Sequence, residues 1–108
     1  MELEQIHEGL KALALKVSKK TGLKPKRADT ALISHDAGNY ENAFQHYLWM
    51  VGEALSWPAE RKDKAERWLC FIQGALWVHG MVTIDDLKEM NAPKGEAPKG
   101  EGNGQARV

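Results

Sequence analysis

The residues of this sequence that a fold could gather for chemistry are His35, Asp36 and His79, together with the single thiol Cys70. An imidazole beside a carboxylate supplies both a metal ligand and an oriented base, so the first three could hold a metal ion or move a proton. They meet if two consecutive helices fold back on each other at Trp57-Pro58, which sets His79 near His35 and Asp36, and Gly74 near Tyr40. Their spacing matches no zinc motif such as His-Glu-x-x-His, and imidazoles at helix ends also bond backbone carbonyls. Cys70 stands between Leu69 and Phe71 in the most apolar part of the chain. A reactive thiolate needs cationic, partly exposed surroundings, so the expectation is an inert core thiol. No catalytic residue, cofactor or metal site is assigned, and the chain reads as non-enzymatic.

A second constellation is electrostatic. Lys11, Lys16, Lys19, Lys20, Lys24, Lys26 and Arg27 have no acid between them, whereas Asp29, Asp36, Glu41, Glu53 and Glu60 follow without an intervening Lys or Arg. Lys16, Lys19, Lys20, Lys24, Lys26 and Arg27 are the candidate nucleic-acid contacts. Acids at the start of a helix and lysines at its end also complement the helix dipole without any ligand. The basic stretch carries no interleaved aromatics for base stacking. Over the whole chain of 108 residues, 15 Lys plus Arg balance 15 Asp plus Glu, which gives no general attraction to nucleic acid or an anionic membrane.

The elements that must position these groups are helices. Leu3, Ile6, Leu10, Leu13 and Val17 recur at steps of three and four, drawing one apolar seam on a first helix from about Glu2 to Lys20. Gly22 suits its left-handed close, and Pro25 delays resumption, so Leu23 to Asp29 reads as a linker. A second helix starts among Asp36 to Asn39, where short polar side chains cap free amides, and buries Tyr40, Phe44, Tyr47, Leu48, Val51 and Leu55. Thr30 to Ser34 fits either a helical turn or the helix that follows. Trp57-Pro58 closes the second helix, because the residue before proline is pushed out of helical geometry and proline suits the next first turn.

The third helix, from about Ala59 to His79, contains Trp68-Leu-Cys-Phe-Ile-Gln-Gly-Ala-Leu-Trp-Val-His79, in which only Gln73 and His79 are strongly polar. A helix apolar on every face belongs at the centre of a bundle or against another chain. The run is shorter than the roughly 20 apolar residues of a membrane span and follows a charged segment, so no membrane insertion is expected. Gly80 ends this helix, and Thr83-Ile-Asp-Asp86 opens a short fourth one to Met90 through a capping box, folding Leu87 onto the core. After Asn91, a Pro-Lys-Gly-Glu repeat and glycine-rich sequence cannot bury enough apolar surface to offset ordering. The expectation is all-α: a small bundle of about four helices over residues 1–91 and a disordered tail over 92–108.

Two resemblances add context. Gly38 to Tyr47 resembles the second helix of a tetratricopeptide repeat, but no second copy follows and such solenoids need stacked copies. Arg67-Trp-Leu-Cys-Phe-Ile-Gln-Gly-Ala-Leu-Trp77 and Thr83-Ile-Asp-Asp-Leu-Lys-Glu-Met-Asn-Ala-Pro93 resemble the C-terminal half of small, poorly characterised proteins of temperate phages and prophages of enteric bacteria. That resemblance, over about residues 47–93, implies an accessory protein acting in a bacterial cytoplasm; it brings no activity and no catalytic residue.

A domain of this size cannot cover Trp49, Trp57, Trp68 and Trp77 equally, so an exposed apolar patch is expected, with Trp49, Met50, Trp57 and Trp77 as candidate partner contacts. The seam of the first helix also seeks a partner, which favours a homodimer. The function expected is a phage-type protein that binds and modulates or inhibits a host or phage protein. A nucleic-acid-binding regulator using residues 16–27 is the alternative, and a small metal-dependent enzyme the second.

Overall fold

The computed structural model describes residues 1–28 and 40–92, and in them the chain is an all-α bundle. Helix α1 spans Leu3–Thr21, α2 Glu41–Leu55, α3 Lys62–Val78 and α4 Ile84–Asn91; a single 3-10 turn, Ala59–Arg61, leads into α3. The candidates His35 and Asp36, the turn proposed at residues 30–34 and the tail beyond residue 92 lie outside the described residues.

Helix α1 forms because its apolar residues fall on one stripe and its ends are served locally. Glu4 sits in the first turn and Lys19 and Lys20 in the last, matching the dipole. Gly22 closes the helix at φ +70°, donating its amide to the Ser18 carbonyl at 2.8 Å. The stripe of Ile6, Leu10, Leu13 and Val17 is buried within the single subunit, since α1 lies against α2, α3 and α4. The seam that argued for a second chain is therefore already covered, and it carries no case for a dimer.

Helix α2 begins at Glu41, later than the Asp36 to Asn39 start expected. At Tyr40 the backbone is not yet helical, and the Tyr40 ring lies 4.7 Å from the His79 ring. Its buried line is Ala43, Leu48, Met50, Val51 and Ala54. Phe44, Tyr47 and Leu55, which the stripe expected from size alone would bury, are only half-buried. Two neighbours, α1 and α3, share α2, and the alanines occupy the contact line where the larger side chains would hold the helices apart.

Helix α3 is not central. Ala65, Leu69, Ile72, Gln73 and Leu76 face the core, while Arg67, Cys70, Phe71, Gly74, Trp77 and Val78 are exposed. The helix ends in a Schellman arrangement: the Met81 amide donates to the Leu76 carbonyl at 2.8 Å and the Gly80 amide to the Trp77 carbonyl at 3.0 Å, with Gly80 at φ +77°. Met81 then turns back onto the core.

Helix α4 starts as its sequence dictates. The Thr83 hydroxyl accepts from the Asp86 amide, and the Asp86 carboxylate accepts from the Thr83 amide, both at 3.0 Å. Three further contacts lock α4 in place. Gln5 of α1 donates to the Met90 carbonyl at 3.2 Å and the Ala92 carbonyl at 2.6 Å. Gln73, the buried polar residue of α3, exchanges amide hydrogen bonds with Asn91 at 2.9 and 3.2 Å. Lys16 reaches Asp86 at 3.4 Å. Gly9 lets α1 come close to α3, for a Cβ there would stand 3.2 Å from Leu69 Cδ1.

Candidate functional site

The residues that could serve function fall into three groups on the surface of the bundle. The first is the outward side of α3. Residues 67, 70, 71, 74, 77 and 78 share one side of a helix by their spacing, and Phe71, Trp77 and Val78 there are 55%, 49% and 73% exposed. Such large apolar side chains normally have covering neighbours. Cys70 is exposed on the same side, which corrects the expectation of a core thiol. Its apolar sequence neighbours misled because Leu69 faces inward and Phe71 outward, and the thiol turns with the latter. Gly74 completes the face, and nothing lies within 4 Å of the place its Cβ would take.

The second group is a ladder of aromatic rings along α2 and the start of α3. The His46 ring stacks on Trp49 at 5.3 Å between centroids, Trp49 meets Trp68 at 6.2 Å, and Trp68 meets Trp57 edge-on at 4.6 Å. Cations lie over these rings: Arg27 is 5.2 Å from the centre of Trp49, Arg61 is 4.2 Å from Trp57, and Lys64 is 5.2 and 5.6 Å from Trp57 and Trp68. Trp49 and Trp57 are thus half-buried members of a ladder of mutually packed rings rather than isolated anchors. Met50, a candidate partner contact by sequence, is instead buried at 7% exposure, in the core with Ala43 and Ala54 of the same helix.

The segment after α1, expected as a linker, is held on this ladder. The Lys26 amide donates to the Gln45 carbonyl and the Ala28 amide to His46 Nδ1, each at 3.1 Å. Partial burial, and then the nearby Arg27 charge, lower the His46 pKa, which favours the neutral imidazole whose Nδ1 accepts from Ala28.

The third group is the pair of ends where α2 and α3 meet. His79 comes to the start of α2, but it lies against Tyr40, where the folded-back arrangement set Gly74, and it touches Tyr40, Phe44 and Tyr47 at 4.7, 5.1 and 6.3 Å between ring centres; Gly74 faces the open side instead. Burial raises the Tyr47 pKa. The environment of His79 is aromatic. Among the described residues, no group of three or more His, Cys, Asp or Glu side chains is placed to hold a metal.

Of the basic candidates, Lys19, Lys20, Lys24, Lys26 and Arg27 are exposed. Lys16 is engaged with Asp86, whose carboxyl is held below the ordinary carboxylate range first by the Thr83 amide and also by Lys16. No helix among the described residues is long and apolar enough to cross a membrane. Sequence reasoning missed the Trp68 link in the ladder and the cations over it, because Arg27 comes from a segment more than thirty residues before Arg61 and Lys64. Compared with protein-family models, curated proteins and solved structures, the chain finds no significant match.

Proposed function

We propose that this protein is a non-enzymatic interaction protein that works by laying the outward side of α3 against another protein. The observation that carries the reading is the exposure of Phe71, Trp77 and Val78 on one helix side, with the small residues Cys70 and Gly74 between them. Aromatic side chains set around small ones give a partner both anchors and a groove, the usual composition of a binding hot spot. With the α1 seam buried, self-association falls to this same side, and a second copy packed α3 to α3 gives a homodimer. In the setting implied by the phage-protein resemblance, the surface serves to occupy and modulate or inhibit a host or phage protein in the bacterial cytoplasm.

The test is mass by light scattering together with affinity capture from enteric bacterial lysate, using wild type, Phe71→Lys and Trp77→Lys. Wild type is expected to give a dimer mass at high micromolar concentration and to retain a discrete protein from the lysate, and both lysine variants to lose these while keeping their helical circular dichroism. A wild-type monomer that captures nothing sensitive to Trp77→Lys would overturn the reading.

A further inference from the structure

The ladder of His46, Trp49, Trp68 and Trp57 is a surface separate from the outward side of α3, and the fold supplies there what the basic segment lacks in sequence: aromatic rings between positive charges. We infer that this ladder binds single-stranded nucleic acid, with bases on the indoles and the phosphates held by Arg27, Arg61 and Lys64. Three properties point to that ligand. The four rings form one continuous, half-buried row at 4.6 to 6.2 Å between neighbours, which a strand of bases can follow by stacking on the ring faces where the cations now lie. A cation already rests on each of the three indoles, so a base taking the ring face leaves a guanidinium or ammonium beside it for the adjoining phosphate. The segment that carries Arg27 is fixed to α2 through the Lys26 and Ala28 amides, which holds the guanidinium over Trp49. A duplex offers no base faces for stacking, and an uncharged ligand would leave the cations unused. Glu53, exposed one turn beyond Trp49 on α2, opposes the phosphates.

The experiment is a titration of the full-length protein with a short oligothymidylate at low salt, followed by tryptophan fluorescence, with a duplex and polyglutamate as parallel probes. Binding is expected to quench the fluorescence and to weaken with salt with a logarithmic slope of about −2, from three charges on a single strand. Arg27→Glu and Arg61→Glu, on different elements and both at exposed positions, should each weaken binding about tenfold or more at low salt, since each reverses a phosphate contact. Glu53→Gln should strengthen it. Absence of quenching at low salt would overturn the inference, as would binding lost on Lys19→Glu but kept in Arg61→Glu. Equal affinity for polyglutamate would assign the surface to acidic peptides instead, and tighter binding of the duplex would remove stacking from the account. None of these results bears on the α3 surface, whose variants lie elsewhere.

Discussion

The two sides of α3 are built from similar residues and do opposite things. Inward, Leu69, Ile72 and Leu76 are at most 1% exposed; outward, Phe71, Trp77 and Val78 are about half exposed or more. Apolar content alone therefore did not decide burial. The inward side is buried because α1 brings a complementary stripe and Gly9 lets it approach, whereas on the outward side Phe71 meets the Tyr47 ring of α2 edge-on at 6.0 Å and still stays 55% exposed. In a helix with more apolar surface than its own subunit uses, the surplus is the informative part.

The largest break in this comparison comes from shortening the inward side. Leu76→Ala or Leu69→Ala should cost about 2–5 kcal/mol in urea unfolding, since the bundle closes only partly around the cavity. The outward counterparts, Phe71→Ser and Trp77→Lys, should stay within roughly 0.5 kcal/mol of wild type in dilute protein. A large loss there would mean that the outward side is structural.

The glycines sharpen the contrast. At Gly9 an added Cβ would stand 3.2 Å from Leu69 Cδ1, so Leu69 must give by a few tenths of an ångström, and this crowding opposes the helix-propensity gain of about 1 kcal/mol. At Gly74 the added methyl meets nothing, so Gly74→Ala should gain about 1 kcal/mol in dilute protein while weakening association. A smaller gain, or a loss, for Gly9→Ala than for Gly74→Ala in the same unfolding assay supports the account; an equal or larger gain at Gly9 contradicts it.

Smaller effects belong to the ends of the elements. Thr83→Ala should cost about 1 kcal/mol through the lost cap of α4. Because Asp86 has a lowered pKa in the fold, its contribution is present above the unfolded carboxyl value and disappears as pH falls through the folded one; Asp86→Asn should flatten the acid limb of the stability curve. His46 has the same sign, since its folded pKa is also lowered. Its contribution holds above the ordinary histidine value and is lost as protonation consumes Nδ1, so the protection factor of the Ala28 amide, taken against the intrinsic exchange rate at each pH, should fall as pH drops below about 6.5.

Local signals were legible in the sequence. The three-and-four spacing gave the α1 stripe, and Gly22, Gly80 and the Thr83 to Asp86 box marked helix ends, because each depends on a few consecutive residues. Burial of α2 was less so: size favoured Phe44 and Tyr47, while the observed contact line selects Ala43 and Ala54, which only the positions of α1 and α3 explain. The orientation of Cys70 and the cation-bearing ladder were not legible. Both depend on how distant segments come together, and periodicity within one helix carries no such information when every side is apolar.

Cys70 offers the most direct measurement, as the single thiol of the chain and a member of the outward side of α3. In dilute native protein it should react with a maleimide at a rate close to that of the urea-unfolded chain. The rate should fall as concentration rises or a captured partner is added, and Trp77→Lys should abolish that protection. A thiol protected in the dilute subunit, or one whose rate is the same in dilute protein, concentrated protein and bacterial lysate, would contradict the claim that α3 presents an open docking surface.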